Sequence, residues 1–240
     1  SAFSSETLPS VSRGVFEESI NNECVQAVLK DLDLELVESS NNVSAITSRR
    51  NCIWPLGEAK EAIVSNSRFL DLYPSDFDAH LNRGIAEESL KRWEDAEKDY
   101  QWIIERYPNE TFVLYNLANV KGSLNDWLTA KTLFGKAASV RPEFAMASSS
   151  KALVSYQLGE FEDLESELRI LIRRYPMFAD ARAALSACLS RKGLTGEAKS
   201  HWAAAIGLDA RYKDQDWLLN TRRWPPTPTH DLMQFLNSKS

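Results

Sequence analysis

Three histidines (His80, His201, His230) and three cysteines (Cys24, Cys52, Cys188) are the side chains best suited to proton transfer, nucleophilic attack or metal binding. Their spacing supports none of these. No histidine has a cysteine, serine or carboxylate at a recognisable catalytic interval. No H-E-x-x-H pair and no glycine-rich phosphate loop occurs. The cysteines lie far apart without a C-x-x-C pair, so neither a zinc site nor a disulfide framework is expected, and they read as buried thiols. The acidic pairs Glu87–Glu88 and Asp31/Asp33 read as solvated helix faces. The sequence therefore predicts no catalytic residue, no metal site and no cofactor, and the chain is not read as an enzyme.

Bulk properties narrow the field further. With 43% hydrophobic and 26% charged residues, the 240-residue chain has the composition of a globular protein. No apolar run approaches the roughly 18 residues of a membrane-spanning helix, so direct membrane insertion is not expected. The net charge of −6 is carried by the first forty residues, where eight acids face only Arg13 and Lys30. Beyond them acids and bases balance. Arg49–Arg50, Arg173–Arg174 and Arg222–Arg223 are small clusters without a basic face, so no nucleic-acid partner is expected. The opening "SAFSSETLPSVSRG" has no apolar signal core and reads as a flexible end, 1–14.

The elements that position everything else come from a repeat. Pro74, Pro108, Pro142 and Pro176 are spaced 34 residues apart. Twelve residues before each stand Ala62, Ala96, Ala130 and Leu164; twenty-four before stand Arg50, Gly84, Ala118 and Ala152. Eight before stand Asn66, Tyr100, Phe134 and Leu168, and fifteen before stand Ala59, Trp93, Trp127 and Phe161. One period further, Ala210 has Ala198 and Trp202 at the matching distances. Each unit shows two stretches of helical periodicity, such as "DAHLNRGIAEESL" and "WEDAEKDYQWIIERY", interrupted near Lys91–Arg92. Small residues let two antiparallel helices approach, and large ones fill the space between one pair and the next. Proline closes the second helix, because the residue before it is driven out of the α region.

The small-residue pair, the aromatic and the terminal proline at this period resemble the tetratricopeptide repeat, over units 43–76, 77–110, 111–144, 145–178 and 179–212. The resemblance implies an all-α, right-handed α-solenoid of antiparallel helical hairpins with N- and C-terminal capping helices. Arg50 and Leu164 depart from the small-residue pattern, so their hairpins are expected to pack more loosely or at altered angles. Phe16, Ile20, Cys24, Val28 and Leu32 recur every four residues, an acidic-backed cap within 15–42. At the other end, 213–240 breaks the period. A short helix near 214–221, a Pro-rich turn at 225–228 and a last helix near 230–237 are expected to fold back on the final repeat. This tail resembles those of plant and cyanobacterial tetratricopeptide proteins, which implies the chloroplast, with the cytoplasm as the alternative.

The resemblance also implies a concave surface, lined by the first helix of each pair, that holds a protein or peptide partner. Its inward positions include Asn82, Ile85, Tyr115, Asn116, Asn119, Ser149, Leu153 and Tyr156. Amides offer a donor and an acceptor to a peptide backbone, and tyrosines offer flat apolar area with a polar tip. Some relatives clamp the C-terminal carboxylate of heat-shock chaperones with lysine, arginine and asparagine. Here the matching positions are Leu81, Ile85, Asn116, Met146 and Ser150, and only Asn116 agrees. A carboxylate without cations in a partly dry groove is costly, so the clamp is excluded. The expectation is a non-catalytic scaffold or assembly factor. The alternative is a module that self-associates or closes its groove with its own "NTRRWPPTPTHDL" segment. A related RNA-binding helical repeat fits less well, given the fixed 34-residue interval and the balanced charge.

Overall fold

The computed structural model describes residues 56–238. The expected flexible end 1–14, the acidic cap 15–42, and the first helix of unit 43–76 with Arg50, Cys52 and Trp54 lie outside the described residues. So does Cys24.

Within them the chain is all-α. α1 (Leu56–Leu72) precedes four hairpins: α2 (Phe77–Ser89) with α3 (Trp93–Arg106), and α4 (Thr111–Ser123) with α5 (Trp127–Val140). Next come α6 (Ala145–Gln157) with α7 (Leu164–Arg174), and α8 (Ala179–Arg191) with α9 (Thr195–Leu208). The first helices begin at 77, 111, 145 and 179, so the 34-residue period is kept to the residue. Consecutive helices pack side by side into a solenoid.

Two turns repeat with the helices. Before each proline the backbone leaves the helix: Tyr107, Arg141 and Tyr175 have φ of −129°, −132° and −130°, as proline's ring requires. Inside each hairpin a residue takes the left-handed conformation: Lys91 (58°), Asn125 (61°), Gly159 (75°) and Gly193 (77°). The following N–H of Arg92, Asp126, Glu160 and Leu194 then reaches the carbonyl of Glu87, Lys121, Ser155 and Leu189 at 2.8–3.0 Å. That bond closes the orphaned end of each first helix.

Packing follows the small residues. Ala96, Ala130 and Ala198 are wholly buried, as are Ala118 opposite Ala130 and Ala152 in the hairpin of Leu164. In the last hairpin Ser186 takes the small position, and its hydroxyl donates to the carbonyl of Ala198 at 2.7 Å. A Cβ on Gly84 would lie 2.7 Å from the Tyr100 ring. Tyr100, Phe134, Leu168 and Trp202 fill the spaces between pairs. The third hairpin departs where Leu164 replaces alanine. α7 begins at that residue, three later than the period sets, and Phe161 stays outside the helix with its ring edge-on to Tyr156.

After α9 come a 3-10 turn (Ala210–Lys213), a π turn (Trp217–Thr221) and α10 (Pro226–Asn237). α10 starts four residues earlier than the spacing predicts, because proline fits the first helical turn, where its missing N–H costs nothing. The tail does more than cover the final repeat. It turns back and runs into the concave face.

Candidate functional site

The inward column that holds Asp78, Phe112 and Met146 reaches Asp180 one period later. Asp180 sits in the first turn of α8 and is wholly buried. A carboxylate in such a place must be answered by donors, and the tail supplies most of them. Arg222 donates through Nε to Oδ1 at 2.7 Å and through Nη2 to Oδ2 at 2.8 Å. The Trp224 indole N–H and the Tyr212 hydroxyl donate to Oδ1 at 3.0 and 2.8 Å. The Ser149 hydroxyl donates to Oδ2. Burial alone would push the Asp180 carboxyl up, but Arg222 and these donors hold it below the usual carboxylate range. Burial likewise opposes the charge on Arg222, and Asp180 more than offsets it. The result is a charged, bidentate pair at the α8 end of the groove.

Around this pair the tail touches the first helix of all four hairpins. Arg222 Nη2 donates to Ser150 at 3.1 Å and Nη1 to the Tyr115 hydroxyl at 3.3 Å. Arg223, itself at φ 65°, donates to Glu88 Oε1 at 3.1 Å, to the Asn119 carbonyl at 3.1 Å and to the Ser123 hydroxyl. Its guanidinium also lies 4.6 Å over the Trp93 ring. Further along, the Tyr156 hydroxyl donates to Asp231 at 2.6 Å, and Gln157 accepts from the Thr227 N–H at 2.8 Å. Leu218, Trp224, Leu232 and Phe235 complete the seat as buried apolar side chains.

The eight expected groove residues divide accordingly. Tyr115, Ser149 and Tyr156 bond the tail or its carboxylate anchor. Asn116 and Leu153 are buried beneath it, and Asn119 offers its carbonyl. Asn82 and Ile85 lie at the far end of the face and stay half-exposed. Asp180 and Arg222 are the residues the sequence reading missed. Extending the inward column by one period finds Asp180. Arg222 read as part of a small basic cluster.

The histidines do not converge. His80 is buried between Asp99 (2.8 Å) and the Pro74 carbonyl (2.9 Å), stacked on Trp102. His201 lies on α9 near Arg182, and His230 is exposed on α10. Cys188 is buried and free, and burial pushes its thiol up.

Residues 57–111, the first described helix and the first hairpin, match the family described as tetratricopeptide repeat. Over that stretch the chain carries tetratricopeptide repeats, and the hairpins that follow keep the same period. A comparison with curated proteins found no match. Among solved structures, the solenoid is similar to crystal structures of MamA, at 19% identity and a TM-score of 0.58, over 65% of this chain and 91% of that one. A tetratricopeptide repeat protein from Parabacteroides merdae ATCC 43184 gives 17% identity and 0.56 over 93% and 97%. YrrB, described as a tetratricopeptide-repeat protein with an unusual peptide-binding site, gives 18% and 0.51 over 72% and 97%. At these identities the likeness carries the fold. In this tetratricopeptide-repeat fold the concave surface exists and is filled by the chain's own tail.

Proposed function

We propose that the protein is a non-catalytic scaffold, acting as an assembly factor, whose concave face holds an extended segment of a partner protein. The observation that carries this is the seat of Arg222–Pro226. A bent stretch of polypeptide, helical at Arg222, left-handed at Arg223 and extended at Pro225, already lies in the groove, anchored by side chains from four successive first helices. A surface that satisfies one such segment has the depth and the alternating donors and apolar walls to hold another. The peptide-binding site described for YrrB supports the same use of this fold. Among the described residues no helix is long and apolar enough to cross a membrane. On the resemblance of the tail to plant and cyanobacterial tetratricopeptide proteins, we propose the chloroplast as its location, with the cytoplasm as the alternative.

The groove is tested by photo-cross-linking in an extract of the source organism. A cross-linking residue at position 85, at the half-exposed end of the concave face, is compared with one at exposed Gln101 on the opposite helix layer. Partner cross-links from 85 alone support the groove. Cross-links from 101 alone would move the site to the convex face.

A second reading has the tail of one copy seated in the groove of another. The same seat favours it, and a mass measurement in solution decides it. A monomer across the micromolar range excludes the exchange.

A further inference from the structure

The tail fits the groove well at Arg222 and Trp224 and poorly one step away. Arg223 is held at φ 65°, a region that residues with a Cβ rarely adopt. Asn119, 5% exposed, has a side-chain Nδ2 without any hydrogen-bond partner. A buried amide left in that state is unusual, since nearly all find an acceptor. Beside these two, a cavity of about 200 Å³ remains between Trp224–Pro226 of the tail and Gly122, Phe134 and Leu153 of the groove. The tail reaches its seat through Lys213–Asp216, which is exposed throughout. Backbone strain, an orphaned donor and unfilled space thus coincide at one place, beside an otherwise satisfied anchor.

We propose that the tail is a resident stand-in for the partner. The partner is then a protein segment with arginine, followed within two residues by an aromatic, and a bulkier apolar residue than the tail places at the cavity. The proposal rests on the groove being the protein-binding face. Asp180 sets the requirement for arginine. Two of its bonds come from Nε and Nη2 of one guanidinium, whose remaining N–H groups reach Ser150 and Tyr115. A lysine ammonium cannot span those four acceptors, and a segment without a cation would leave a buried carboxylate with hydroxyl donors but no opposite charge. Exchange therefore trades one guanidinium for another. A partner carbonyl takes the Asn119 amide that the tail leaves unused.

The probe is a fluorescein-labelled synthetic peptide of Asn220–Thr227, followed by anisotropy with the full chain. Arg222→Lys in the full chain weakens the resident tail and leaves the groove intact. It should bind the peptide at least tenfold more tightly than the unaltered chain. A peptide with lysine in place of Arg222 should lose that binding, as should the full chain carrying Arg222→Lys with Asp180→Asn. Hydrogen exchange on the unaltered chain gives the second measurement, and it decides the matter if Arg222→Lys does not fold. Amides of Leu218, Trp224 and Phe235 should exchange at least tenfold faster than those of α8, through a shared opening. Absence of peptide binding to both chains, or tail amides as protected as α8, would overturn the proposal and make the tail a fixed cap. A dimer with exchanged tails would also overturn it, placing a second copy in the groove. Neither result touches the cross-linking test at position 85, so the two readings fail separately.

Discussion

Arg222 and Asp180 are both withdrawn from water, and each is tolerable only because the other is present. Removing one member of a buried pair typically costs about 3–5 kcal/mol, most of it from the charge left behind. Asp180→Asn or Arg222→Met should therefore lower stability by roughly that amount in urea unfolding, with the double change costing less than the two singles added. A different imbalance sits at Glu87. Burial, then the neighbouring Asp99, push its carboxyl up to about 8, and Arg83 opposes them only in part. Asp95 adds to the rise. The folded chain then keeps a proton that the unfolded chain has released above about 4.5. Stability is full below that value and falls as pH rises through 8, by at most about 1.4 kcal/mol per pH unit. Glu87→Gln should remove that slope in unfolding experiments from pH 5 to 9.

At the scale of helices and turns, the left-handed position inside each hairpin makes a series: Lys91, Asn125, Gly159 and Gly193. Glycine adopts this conformation freely, whereas a side chain with a Cβ pays about 1 kcal/mol or more. Lys91→Gly should thus raise stability by up to about 1 kcal/mol, a rise of roughly 2–4 °C in Tm. Gly159→Ala should lower it by a similar amount. Gly122 is constrained for another reason, since a Cβ there would stand 2.7 Å from the Trp127 ring. Gly122→Ala should shift the near-ultraviolet dichroism of that tryptophan while leaving helix content unchanged. Helix starts at 77, 111, 145 and 179 were legible in the sequence because packing between neighbours imposes one period on small, large and proline positions alike. The late start of α7 was visible only as Leu164 in a small-residue column. The seat of the tail was not legible at all. Its contacts join residues separated by 32 to 135 positions, and no periodicity connects them. The period puts Tyr115, Ser149 and Tyr156 in the inward column, but the sequence does not say what lies against them.

For the molecule as a whole, a solenoid normally has only neighbour-to-neighbour contacts, so its ends fluctuate independently. Here one segment ties α2, α4, α6 and α8 together, and the hairpins should unfold as a single cooperative unit. Loosening the tail with Arg222→Met should separate them. Exchange protection would then fall most in α8 and α9 and least in α4 and α5, whose contacts lie within the array. Equal losses everywhere would contradict that division. The same tie bears on synthesis. Arg223 is made 135 residues after the Glu88 it binds. At about 5–20 residues per second, translation leaves Glu88 without this partner for roughly 7–27 s. Glu88 awaits its cation through all of that interval, and Asp180 through the 42 residues that separate it from Arg222. Messages that end early would yield chains lacking their last turns, with every hairpin present and the trough unsealed. Such fragments are natural targets for chaperones and proteases, and quality control would find in them a surface that the finished protein keeps under its tail.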